Sequence, residues 1–296
     1  MASSQLETIV NLLRSRPQPE RFEPAQAREA MESLAGLLVP PADASFETAR
    51  LGAIAGEWVR MPASRDDRQL LYLHGGGYVL GSPRTHRNLV ARLAQAGGLR
   101  AFSADYRLAP EHPHPAAVED AVAAWQGLLE QGADPGRSAI GGDSAGGGLT
   151  VATLVALRER DLPLPAAAFC LSPWVDLEGV GESMTTRAER DPMIQKDGLV
   201  QMAQLYLAGQ DPRTPLAAPL YADLTGLAPL FIQVGTAETL YDDAVRLAER
   251  ARAAGVEADL EPWEDMIHVF QIFAGMLPEA DPAIERLGEF LRKQLG

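Results

Sequence analysis

The sequence holds a single cysteine, Cys170, so no intramolecular disulfide can staple the fold. Its apolar setting, AAAFCLS, reads as a buried strand position and not as an activated thiol. Basic charge is also scarce. Twenty-six Lys and Arg stand against 40 Asp and Glu, a formal net charge of −14, and no basic cluster interrupts the excess. Such a surface repels nucleic acid and anionic membranes, which leaves a small neutral or cationic molecule as the expected partner. No stretch approaches 18 consecutive apolar residues, so no membrane span is expected. The N-terminal MASSQLETIVNLLRSRP has no basic lead, and Glu7, Asn11 and Arg14 break its apolar stripe. It reads as an amphipathic helix, not a secretory signal, which points to the cytoplasm. The phosphate-binding patterns GxxxxGK[ST] and GxGxxG are missing too, which removes the common nucleotide cradles.

What is present suits a globular catalytic domain: 296 residues, 46% hydrophobic and 22% charged. Short apolar runs at 53–60, 70–74, 100–105, 138–141, 166–171, 230–235 and 257–262 read as strands. Helical periodicity covers 85–97, 115–131, 145–160, 241–254 and 283–295. The alternation predicts a doubly wound, mostly parallel α/β sheet. Residues 1–45 and about 176–222 do not fit it and are assigned to a helical cap, leaving 46–296 as the catalytic domain with a cap insertion. Met184, Met193, Met202 and Leu205 in that insertion either line an apolar pocket or pack the cap itself.

Residues 141–148 read GGDSAGGG, and within them Gly142-Asp143-Ser144-Ala145-Gly146 is a GxSxG turn between a strand and a helix. This is the spacing of a nucleophile elbow, in which the serine hydroxyl stands clear of the sheet edge. Upstream, His74-Gly75-Gly76-Gly77 follows LLYL. The amides of Gly76 and Gly77, with that of Ala145 at the helix start, could bind an oxyanion; His74 is read as a stiffener of this loop. Of five histidines, His268 falls after the last strand, where a doubly wound hydrolase presents its base. His86 sits in the helix-opening SPRTHRN, while His112 and His114, between prolines, read as surface or loop packing, with no further Cys, His or paired acids nearby to complete a metal site. The orienting acid belongs after LFIQVG, and Glu238 is favoured over Asp242, which starts a helix and can serve its dipole.

With these pieces assembled, the chain resembles the hormone-sensitive-lipase-like (family IV) esterases of the α/β-hydrolase superfamily. HGGGY at 74–78, DYRLAPEHPHPAAVED at 105–120, GDSAGG at 142–147, GTAETLYDD at 235–243 and the HVF at His268 carry the likeness. It implies an α/β-hydrolase fold with a helical cap, Ser144, Glu238 and His268 as catalytic triad, and Gly76, Gly77 and Ala145 as oxyanion donors. One departure stands out: most members carry Asp in a DPL-like context where this chain has Glu238 in ETL. Arg107 and Glu111 of the YRLAPE segment are read as ties between loops. The expected activity is hydrolysis of short-chain acyl esters, with no cofactor, no metal, a small-molecule ester as partner and a homodimer left open. Acyl transfer, deacetylation and lactone opening would use the same residues. A receptor without catalysis is disfavoured because His268 is retained.

Overall fold

The structure, a computed structural model, describes residues 3–15 and 22–296. Among these residues eight strands form one sheet: β1 (Ser45–Leu51), β2 (Ile54–Arg60), β3 (Arg65–Leu73), β4 (Leu99–Ala104), β5 (Ser138–Asp143), β6 (Ala167–Leu171), β7 (Leu230–Gly235) and β8 (Ala258–Trp263). Their order is β1-β2-β4-β3-β5-β6-β7-β8. The β1–β2 and β2–β4 pairs are antiparallel and every other pair is parallel. The helices are α1 (Ser4–Arg14), α2 (Pro24–Ala35), α3 (Arg87–Gly97), α4 (Ala116–Glu130), α5 (Ala145–Glu159), the short α6 (Ser183–Thr186), α7 (Lys196–Leu207), α8 (Tyr241–Ala253) and α9 (Ala280–Leu295).

The central strands are apolar on both faces because both faces are covered. Along β3, Leu71 and Leu73 join one core cluster while Leu70 and Tyr72 join the other, the period-two alternation of a strand. The first cluster gathers α4, α5 and α8, and the second gathers α3 and α9 together with Leu6, Ile9 and Leu13 of α1. Helix α5 is buried at every position from Ala145 to Leu157, which explains why its sequence shows no polar stripe. Each fully buried Leu or Phe here contributes about 1.5–3 kcal/mol relative to exposure, before chain entropy is counted.

Two elements depart from the sequence reading. Strand β1 was not anticipated. Its SFETARL is largely exposed and lies at the sheet edge, held to β2 through a tight turn at Gly52-Ala53, so no apolar run marks it. Strand β3 also begins earlier than residue 70. Its charged start, Arg65 to Arg68, sits in an irregular stretch of the pairing with β4.

The topology gathers the chemistry at one edge. The C-terminal ends of β3, β5, β6, β7 and β8 lead directly into His74, Ser144, Ser172, the segment containing Glu238, and the loop with His268. The carboxyl ends of parallel strands are where open α/β sheets present ligand sites.

Candidate active site

Ser144 links β5 to α5 with φ 52° and ψ −121°, a conformation that costs a non-glycine residue about 1–3 kcal/mol. Neighbouring backbone enforces it. The Ser144 amide donates to Leu171 O (2.8 Å), and Ser144 O accepts from the amides of Trp174 (2.9 Å) and Gly148 (3.1 Å). A β-carbon on Gly142 or Gly146 would collide with the Leu73 carbonyl oxygen, so only glycine lets the elbow lie against β3.

That contact seats the elbow beside the loop His74–Gly77. Gly76 has φ 116°, and a β-carbon there would meet Leu80 O. Among the described residues no carbonyl accepts from the amides of Gly76, Gly77 or Ala145. The loop is anchored from below by Asp143, whose Oδ1 accepts from Tyr72 Oη (2.6 Å) and the Gly75 amide (3.0 Å). His86 Nε2 lies 3.3 Å from Asp143 Oδ2. Burial works against charge on Asp143, but the adjacent His86 and the Tyr72 hydrogen bond prevail and hold its carboxyl below the usual range. His74 is fully buried; its Nδ1 donates to Gly75 O (2.8 Å) and its carbonyl accepts from Tyr106 Oη (2.6 Å). Burial, aided by nearby His86, pushes His74 down to about 3, so it stays neutral, as a loop stiffener should.

Glu238 and His268 come together from β7 and β8. His268 Nδ1 lies 2.6 Å from Glu238 Oε2; the tautomer that makes this contact a hydrogen bond to a carboxylate oxygen has its proton on Nδ1 and leaves Nε2 free to accept one. Glu238 Oε1 accepts from Ser172 Oγ (2.8 Å) and from the Gly235 amide (2.5 Å). Both Glu238 and His268 are buried. Burial by itself would lower the proton affinity of His268. The Glu238 hydrogen bond and charge outweigh it, with Asp191 and Asp143 adding to them, and the imidazole is held above the ordinary histidine range.

Asp242 is engaged elsewhere. Its Oδ2 accepts from the Ser183 amide (2.9 Å) and its own amide donates to Ser183 Oγ (3.1 Å), tying α8 to α6. Asp243 accepts from the amides of Val175 and Asp176, and burial pushes its carboxyl up to about 7. Three residues of the site were not singled out from the sequence: Ser172, Asp143 as loop anchor, and Asp191. Asp191 Oδ2 accepts from the Thr239 amide (2.9 Å), steadying the segment beside Glu238. Cys170 is buried on β6, and burial raises its thiol. Arg107 pairs with Asp120, and Glu111 with Arg28 of α2, both as ties between segments. His114 is buried against Tyr206 of α7, with Nδ1 3.2 Å from the Tyr206 hydroxyl. No group of three or more potential metal ligands exists among the described residues, and no helix of theirs is long and apolar enough to cross a membrane.

The α/β-hydrolase fold family matches residues 70–272. A crystal structure of an esterase from the bacterial hormone-sensitive lipase family superposes with a TM-score of 0.97 at 53% identity, over all of both chains. The chain belongs to the hormone-sensitive-lipase-like esterases of the α/β-hydrolase superfamily. Its activity class is accordingly carboxylic ester hydrolysis. It is 48% identical to an acetyl-hydrolase from Streptomyces hygroscopicus, over 100% of this chain and 99% of the relative. To an esterase from Acinetobacter venetianus it is 32% identical, over 96% and 94%. A structure of the esterase EstE5 soaked with p-nitrophenyl butyrate is 46% identical with a TM-score of 0.96, over 99% of both chains.

Proposed function

We propose that this esterase hydrolyses short-chain acyl esters through an acyl-enzyme on Ser144. His268 Nε2 takes the Ser144 proton as Oγ bonds to the ester carbonyl carbon, and the carbonyl oxygen becomes an oxyanion among the amides of Gly76, Gly77 and Ala145. The C–O bond to the alcohol then breaks, and His268 returns the proton to the departing oxygen. Water repeats the sequence: it loses a proton to His268, adds to the acyl carbon, and the Ser144 Oγ leaves with that proton as the carboxylic acid departs. Glu238 keeps Nδ1 protonated and stabilises the transient imidazolium without itself taking the proton. The observation that carries this reading is the 2.6 Å contact of His268 Nδ1 with Glu238, at the same sheet edge as the strained Ser144 elbow.

The described residues of 1–45, together with 176–222, act in this reading as a cap; residues 1–2 and 16–21 of that assignment lie outside the described residues. Two contacts support it. Arg28 of α2 donates to Val79 O and Ala109 O (both 2.8 Å), and the Met202 side chain of α7 occupies the space beside Gly77 where a β-carbon would fall. An acyl chain running from the oxyanion site would soon meet Met202, which favours acetyl to about hexanoyl groups. The similarity to an acetyl-hydrolase along its whole length favours acetyl esters or acetylated amines within that range. Initial rates on p-nitrophenyl acetate, butyrate and palmitate and on an acetylated amine test the reading; palmitate preferred over butyrate would overturn it.

A further inference from the structure

Ser172 is the first residue past β6, fully buried, with φ 48°. Its single hydroxyl proton goes to Glu238 Oε1 (2.8 Å), while the same oxygen accepts from the amide of Val269, the residue after His268 (3.0 Å). The Ser172 amide donates to Gln233 O (2.7 Å), locking its backbone to β7. One oxygen thus touches both the acid and the loop that carries the base. Val269 is itself left-handed, with φ 46°, and its bond to Ser172 joins the local bond from the Phe270 amide to Ile267 O (3.2 Å) in holding the turn that presents His268. A packing serine has no need of this arrangement. Burying a hydroxyl costs free energy unless it is bonded, and alanine would fill nearly the same space.

We propose that Ser172 is a positioning residue of the ester-cleaving site, its hydroxyl fixing the Glu238 carboxylate and the His268 loop in register with each other. The proposal rests on the Ser144–His268–Glu238 reading above. With one proton to give, the Ser172 hydroxyl fills a lone-pair site on Oε1 and turns Oε2 towards His268. Without it Glu238 keeps only the Gly235 amide on that side, and the Val269 amide loses its acceptor. The imidazole then samples orientations other than the one its Glu238 contact fixes. The charged groups facing His268 are Glu238, Asp191 and Asp143, and only the first is held by Ser172.

The test compares Ser172→Ala, Ser172→Gly, Glu238→Ala and the double variant Ser172→Ala with Glu238→Ala, on p-nitrophenyl butyrate across pH, with thermal melts. Alanine keeps the left-handed strain, whereas glycine relieves it. If the hydroxyl matters, both single variants at 172 lose about tenfold or more in kcat with KM within about threefold. The acid limb of their kcat/KM profile moves down, towards ordinary histidine, as the Glu238 contact loosens. Adding Ser172→Ala to Glu238→Ala then costs less in kcat than Ser172→Ala costs the wild type, because the part of its effect that runs through the carboxylate is already gone. Wild-type kcat and an unmoved profile in either folded single variant would overturn the proposal, as would additive losses in the double variant. Should Glu238→Ala itself be fully active, the triad reading falls first; should it be impaired while Ser172→Gly is not, the triad stands and only the positioning role is lost.

Discussion

Replacing Glu238 with Gln tests the acid at constant shape. In the wild type, Oε1 accepts two hydrogen bonds, from Ser172 and Gly235, while Oε2 faces His268 Nδ1. An amide has one acceptor end and one donor end. Its oxygen will take the side with two donors, since the reverse leaves the NH2 pressed against both Ser172 and the Gly235 amide. The NH2 then faces Nδ1, which must become an acceptor, and the imidazole proton moves to Nε2, the atom that has to receive the Ser144 proton. The wrong tautomer in a serine hydrolase costs about ten-thousandfold in kcat, or about 5.5 kcal/mol at about 1.4 kcal/mol per decade. The substrate does not touch Glu238 in this reading, so KM should stay within about threefold. Glu238→Asp keeps the charge on a shorter stem and should recover part of the loss. The assay is steady-state turnover of p-nitrophenyl butyrate with melts alongside. Glu238→Gln retaining more than about a tenth of wild-type kcat would refute the tautomer argument, and an inactive Asp242→Ala beside an active Glu238→Gln would move the acid to Asp242.

Other expectations are direct. Ser144→Ala should fold and fall below about a hundredth of wild-type activity, read by melts and ester turnover, and a mechanism-based phosphonate should label Ser144 and no other serine, read by mass mapping. Because His268 is held above its ordinary range and must be neutral to accept the Ser144 proton, kcat/KM should be lost as pH falls through a value above about 6.5, the unperturbed histidine pKa. The contribution of the Glu238–His268 pair to folding runs the other way: present in full below the unfolded histidine value, it is lost as pH rises through the higher folded one, which melts from pH 5 to 9 would show. Asp242→Ala should keep kcat but lose about 1 kcal/mol of stability, since its carboxylate joins α8 to α6 through the Ser183 amide.

The parts of the site that read from the sequence are those whose chemistry is local. The elbow requires glycine two residues either side of Ser144 because both approach the Leu73 carbonyl, and that demand is written into five consecutive positions. The glycines at 75–77 are local in the same sense. His268 was found by order along the chain and by elimination among five histidines. Glu238 kept a rival in Asp242 because a carboxylate opening a helix looks alike whether it caps, tethers or catalyses. The Asp143–Tyr72–His86 anchor gave no signal: its members lie at the end of one strand, within another and on a short helical turn, and each residue type is ordinary where it stands. Strand β1 escaped because an exposed edge strand has no apolar run.

Ser172 shows why such residues stay hidden. It is 66 positions from Glu238 and 97 from Val269, and no spacing relates them. What joins them is strand order. Because β5, β6, β7 and β8 are neighbours and parallel, their C-terminal ends lie in a row, each a strand spacing of about 4.8 Å from the next. Whatever follows β6 must therefore lie between the turn after β5, which carries Ser144, and the segment after β7, which carries Glu238. Position 172 is bordered by the nucleophile's turn on one side and the acid's on the other. A small side chain there that gives one hydrogen bond and accepts another can reach both the carboxylate and the next loop, and a larger one would displace Glu238. The sheet topology thus creates the position, and the chemistry of the acid and base beside it narrows what can occupy it.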